Sequence, residues 1–288
     1  MGLPSGVRGG RYRCSPPLIR PSKLTTVENG GVGKDLSEGW NLNFAVGCVH
    51  ACPFCYVDSI HKRFGPNRYG DLVLRKWGDY ILIPENLEEA VERTPWRRWH
   101  GKEAMMSSTH DPYLPQLAGW ARRILEAALP AGVRICIQTR SFLVGKDLEF
   151  LAKYRDQVRL QVSIATMNRN LSRKIEPRVP SPKARLEILR RARGRGITTG
   201  VIVAPVLPQT RARADFEGDL QEIARELRRI QPDHIYGESL HIRGQNNRLL
   251  AATLGEQISI PREFDVVARQ AFNEALSDVG LTGTWWPA

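Results

Sequence analysis

The sequence has no run of about eighteen apolar residues, the length a helix needs to cross a bilayer, so no membrane span is expected. It also lacks the makings of a disulfide scaffold. There are five cysteines in 288 residues, an odd number, and three of them fall between Cys48 and Cys55. Met1–Arg13 is rich in glycine and arginine and has no apolar core, so it does not read as a secretory signal. Together these absences predict a reducing, cytoplasmic setting, where clustered thiols bind metal more often than they pair. Acidic residues are in deficit. The 30 Asp and Glu stand against 42 Lys and Arg, a formal charge of +12 that leans toward a polyanionic partner. No internal repeat or low-complexity tract is present. With 42% hydrophobic and 25% charged residues the composition is that of an ordinary folded protein, long enough for one large α/β domain or two small ones.

Residues 1–38 read as a basic, Gly/Pro-rich arm. Past Trp40, apolar runs alternate with helical segments. Strands are expected at Asn41–Val46, Glu103–Ser107, Val133–Gln138, Val158–Ile164, Thr198–Ala204 and His234–Tyr236. Helices are expected at Asp58–Phe64, Pro84–Arg93, Leu117–Ala128, Lys146–Tyr154, Ser181–Gly194, Asp215–Ile230 and Ile260–Val279. The strand runs are nearly all apolar, as in parallel strands covered on both faces. Six such units suit a partial (β/α)6 TIM-like barrel spanning 39–240, with the arm before it and a C-terminal extension, 241–288, after it.

The most informative segment is Gly47–Tyr56, in which Cys48, Cys52 and Cys55 are spaced C-x3-C-x2-C directly after the first barrel strand. Three thiolates on one short loop can hold three corners of a cubane [4Fe–4S] cluster, where four cysteines are usual. Neither Cys14 nor Cys136 is near in sequence, which leaves one iron for a non-protein ligand. Barrel chemistry is placed at this carboxyl end of the strands.

With Phe54 and Tyr56 flanking Cys55, the loop resembles the hallmark of the radical S-adenosylmethionine (SAM) superfamily. The resemblance implies that Cys48, Cys52 and Cys55 bind three irons, and that SAM chelates the fourth through its amino and carboxylate groups. One electron then cleaves SAM to a 5′-deoxyadenosyl radical, which abstracts hydrogen from a substrate. An electron donor such as flavodoxin or ferredoxin is implied as partner. Within the superfamily, the stretch Ser107-Ser108-Thr109 down to Asp111-Pro112-Tyr113 looks like the branch that includes spore photoproduct lyase and its uncharacterised relatives.

By that analogy Tyr56, Ser107, Ser108, Thr109, Arg140, Ser163, Glu176 and Arg178 are candidate SAM contacts. Arg140 would pair with the SAM carboxylate, and Ser163 would point into the barrel. The plain alternatives are turn, loop and core roles for the same residues. Photoproduct lyases carry a hydrogen-donating cysteine in the segment that matches Met105–Thr109. This chain has no thiol there, which points to a different reaction on the same scaffold.

Two other functions are weighed against an unidentified substrate. One is photoproduct-lyase-like DNA repair. The other is a non-catalytic, zinc-bound nucleic-acid-binding module using the three cysteines plus His50 or His61. Ten cations between Arg169 and Arg195, the basic arm, and Trp96, Trp99, Trp285 and Trp286 as exposed aromatics make nucleic acid a candidate substrate or partner. The oligomeric state is not legible.

Overall fold

The computed structural model describes residues 2–22, 33–261 and 263–287. Lys23 and Glu28 of the arm lie outside them, as does the side chain of Lys34.

Among the described residues ten strands form two sheets. In the larger, β3 (Trp40–Leu42), β5 (Glu103–Met106), β6 (Arg134–Thr139), β7 (Val158–Ile164), β8 (Thr198–Val206), β9 (His234–Ser239) and β10 (Thr284–Trp286) run side by side and parallel. Strand β2 (Ile19–Pro21) caps the β3 edge antiparallel, and β2 and β10 do not meet, so the barrel is open. A separate pair joins β1 (Arg8–Tyr12) to β4 (Tyr80–Pro84).

The six barrel strands expected from the sequence are all present. The first is cut to three residues, because the chain leaves the ladder at Asn43; Val46 then bridges Leu82 of β4, in the other sheet. The expected helix at Lys146–Tyr154 is a short α segment, Leu148–Ala152, preceded by a 3-10 turn. Strand β10 and the helices Arg169–Ile175 and Asn246–Leu254 have no counterpart in the sequence reading.

Parallel strands need crossovers, and here these are helices capped as their sequences require. Ser181 Oγ accepts from the Ala184 N–H to start Pro182–Arg193, and Asp215 accepts from the Gly218 N–H to start Phe216–Ile230. Outward residues of β5–β7, such as Ile135, Ile137 and Leu160, pack under the helices in the main core. Leu36, Met105, Ile202, Ala204, Tyr236 and Trp286 fill the inside of the arch. Alternation along β7 sends Arg159, Gln161 and Ser163 to the face opposite Leu160, Val162 and Ile164, and Ser163 reaches the inner cavity. No described helix is long and apolar enough to cross a membrane.

Candidate functional site

A cavity of about 320 Å3 opens at the carboxyl ends of the parallel strands. Cys48, Cys52 and Cys55 line it together with Tyr56, Ser107, Ser108, Thr109, Arg140 and Ser163.

The cysteine loop is set by its backbone. Gly47 sits at φ 92°, and a β-carbon there would lie 2.5 Å from the Tyr80 carbonyl oxygen, so only glycine admits this turn off the strand. Ala51, between the cysteines, is left-handed at φ 58° and packs against Gly78, where a β-carbon would come within 2.2 Å of the Ala51 β-carbon. The loop therefore approaches Gly78 too closely for any side chain there. Burial pushes the Cys48 and Cys55 thiols up to about 12, and the Cys52 thiol higher still. Each also feels another of the three sulfurs, which ties them into one electrostatic unit.

Strand ends supply the polar wall. The Asn43 side chain clamps Ser108: its Oδ1 accepts from the Ser108 N–H at 2.9 Å and its Nδ2 donates to Ser108 Oγ at 3.0 Å. The Tyr56 hydroxyl donates to the Ser108 carbonyl at 3.3 Å, so the cysteine loop and the serine run are joined directly. Ser107 Oγ donates to the His110 carbonyl at 3.0 Å.

Asp111 connects the pieces. One of its oxygens accepts from Thr139 Oγ1 at 2.7 Å, the other from the Arg140 N–H at 2.6 Å, and His50 Nδ1 lies 3.5 Å from that second oxygen. From sequence alone, Asp111 stands only within the stretch that resembles the photoproduct-lyase branch and has no role of its own. The signal available was a buried carboxylate inside a polar run, and its role depends on three elements that only the fold brings together.

Arg140 is held on three sides. Its Nη1 donates to Glu176 Oε1 at 2.5 Å, its Nη2 to the Ala204 carbonyl at 3.0 Å, and its guanidinium lies 5.2 Å from the Phe54 ring centre. Glu176 is fully buried and also accepts from Arg185, which in turn donates to the Ser163 carbonyl. Burial opposes the Glu176 charge, but Arg185 and Arg140 outweigh it and hold the carboxyl below its usual range. For Arg140, burial opposes the charge too, yet Glu176 and the Cys52 sulfur raise its pKa.

Glu176 and Arg178 do not line the cavity. Glu176 stands behind Arg140, while Arg178 donates to the Gly78 carbonyl at 2.8 Å and braces the outside of the cysteine loop.

The residues fit an iron–sulfur cube better than a lone zinc ion. His61 turns away and meets the Tyr80 hydroxyl at 3.1 Å, and His50 is engaged by Asp111. A cube takes one thiolate per iron, so three cysteines would leave one iron without a protein ligand.

The far wall holds groups that the sequence did not single out: Glu238 near the end of β9, and His241 and Arg243 beyond it. Trp286 joins them from β10 and stacks on Tyr236 at 4.6 Å. The expected exposure of Trp96, Trp99 and Trp286 is wrong. All three are buried, Trp96 donating to the Val91 carbonyl and Trp99 packing edge-on to Trp40. Of the remaining cysteines, Cys136 is buried in β6 and Cys14 lies outside this cavity.

Comparison with known proteins bears on this arrangement. Over 277 residues the chain is 57% identical to the uncharacterized protein ORF301 of Acidianus two-tailed virus, covering 96% of this chain and 92% of that one. It is 27% identical over 235 residues to the uncharacterized protein Rv2578c of Mycobacterium tuberculosis, covering 79% of this chain and 65% of the relative. A solved structure of a spore photoproduct lyase variant superposes with a TM-score of 0.67 at 15% identity, covering 97% of this chain and 82% of that one. Another, of a lyase variant with bound AdoMet and dinucleoside spore photoproduct, gives 0.61 at 16% identity, covering 86% and 76%. At such identities the likeness is one of fold. Residues 42–223, which include the cysteine loop and the cavity's polar wall, match the radical SAM superfamily, and the chain belongs to it.

Proposed function

We propose that this radical SAM enzyme holds a [4Fe–4S] cluster on Cys48, Cys52 and Cys55, binds SAM in the adjoining cavity, and takes a hydrogen atom from a substrate seated against the far wall. When bound, the cluster supplies the electron that splits SAM into methionine and a 5′-deoxyadenosyl radical. One observation carries the reading: the three thiols share a cavity with a buttressed arginine and a clamped Ser/Thr run at the carboxyl ends of parallel strands. Arg140, fixed by Glu176 and the Ala204 carbonyl, presents a guanidinium suited to the SAM carboxylate. Ser107, Ser108, Thr109 and Ser163 offer hydroxyls to its polar groups, with Tyr56 joining the serine run to the loop. Glu176 acts through Arg140, and Arg178 through the loop backbone. Ile202, Ala204 and Pro205 supply an apolar surface for the adenosine ring.

The division into arm 1–38, barrel 39–240 and extension 241–288 is part of the proposal, as are a flavodoxin- or ferredoxin-type donor and a nucleic-acid substrate or partner, which the charge of +12 favours. Thymine-dimer repair is disfavoured, since no cysteine other than the three of the loop lines the cavity among the described residues. Anaerobic reconstitution followed by reduction should release 5′-deoxyadenosine and methionine from SAM. Replacing all three loop cysteines with Ala should abolish the release, and persistent turnover would refute the assignment. Irradiated DNA assayed for photoproduct loss tests the repair reading.

A further inference from the structure

A second cavity, of about 260 Å3, lies between the N-terminal strands and the helix Val57–Phe64. It is distinct from the cluster cavity and meets it only at Thr109, which lines both. Among the described residues two arginines line it, Arg20 and Arg68, and no aspartate or glutamate does.

Both arginines are exposed. Arg20 gives one N–H to the Ser15 carbonyl at 2.6 Å, and Arg68 lies 5.2 Å from the Tyr69 ring centre. Neither has a carboxylate within 4 Å among the described residues. Both also favour the thiolate of Cys14, which lines the same cavity and is otherwise held protonated by burial and, to a lesser degree, by Glu89. The wall beside them is aromatic, with Tyr12 edge-on to Tyr69 at 5.0 Å and Phe64 two-thirds exposed. A cavity lined, among the described residues, by two arginines that no described carboxylate pairs, no acid and an aromatic wall calls for an anion joined to a flat ring.

We propose that this cavity binds a nucleotide, with its phosphate on Arg20 and Arg68 and its base against Tyr69 and Phe64. The nucleotide is either free or one unit of a strand. The inference stands independently of the radical reading, because it uses none of the residues assigned to the cluster or SAM.

Cys14 is a built-in reporter. In the intact chain, alkylation of Cys14 by N-ethylmaleimide is followed by mass spectrometry of its peptide at constant ionic strength. The probes are adenosine 5′-monophosphate, adenosine, and a short single-stranded oligodeoxynucleotide. The monophosphate or the oligonucleotide should slow the reaction while adenosine leaves it unchanged. Whichever acts at the lower concentration identifies the source. Calorimetric titration of the same probes gives the same comparison without relying on thiol reactivity. The Arg20→Gln/Arg68→Gln double variant should weaken binding by about tenfold or more. Its thermal midpoint and SAM cleavage should not change, since both side chains are exposed and outside the first cavity. Equal protection by adenosine, equal binding in the double variant, or no binding of either phosphate probe at millimolar concentration would overturn the proposal.

Discussion

Glu176 shows what a buried residue does at this site without touching its contents. It neutralises Arg140 on one side and the fully buried Arg185 on the other. Glu176→Gln should cost about 3–5 kcal/mol, because it leaves a buried cation uncompensated; urea unfolding measures this. In protein that still folds, SAM affinity should fall as Arg140 loses its brace, and Glu176→Asp should recover part of it. Two buried histidines set the acid limit. Burial lowers His61 to about 4 and His110 to about 3, so the folded protein keeps both neutral while the unfolded chain protonates them near 6.5. Their contribution is intact above pH 6.5 and lost as pH falls from there toward 4. The slope is about 1.4 kcal/mol per pH unit for each histidine. A His61→Phe variant that unfolds with unchanged steepness between pH 6.5 and 4 would contradict this. Residue types and spacing made Cys48, Cys52 and Cys55 legible before any fold was known. Asp111, Glu238 and His241 were not, since single acids and histidines gain meaning only from what the fold sets beside them.

Strand β10 is one of the elements that sequence reading missed. Thr284–Trp286 is three residues long, with no alternation to recognise and a turn-rich approach, yet it extends the parallel sheet beyond β9. It brings Trp286 into the arch, where its Nε1 donates to Asp35 at 3.0 Å and its ring covers Tyr236. Trp286→Ala should therefore cost about 3–5 kcal/mol in chemical denaturation, and should also reshape the far wall of the cavity. A loss below about 1 kcal/mol would mean that the edge strand is dispensable. The first barrel strand failed in the other direction. Asn41–Val46 reads as one apolar run, but Asn43 leaves the ladder to clamp Ser108. Helices with strong end signals, such as Ser181-Pro182, were placed almost to the residue because the cap itself dictates the start.

Across the whole molecule the charge of +12 is less concentrated than the sequence suggests. In the basic run from Arg169 to Arg195, Arg185 is buried and Arg178, Arg190, Arg193 and Arg195 are paired with carboxylates. If nucleic acid binds, Arg169, Arg173, Lys174, Lys183 and Arg191 are the cations of that run left to meet phosphates. Affinity should then fall by roughly 10²-fold or more between 50 and 200 mM salt; an electrophoretic shift series measures it, and no shift at low salt would retire the partner. The central claim is that three thiols hold a cluster with one corner open to SAM. It is tested most directly by electron paramagnetic resonance of the reduced, anaerobically reconstituted protein, recorded before and after adding SAM. The account predicts a cluster signal whose g values move on SAM addition and that is absent when Cys48, Cys52 and Cys55 are all Ala. A signal indifferent to SAM, or a colourless protein carrying one zinc, would contradict it.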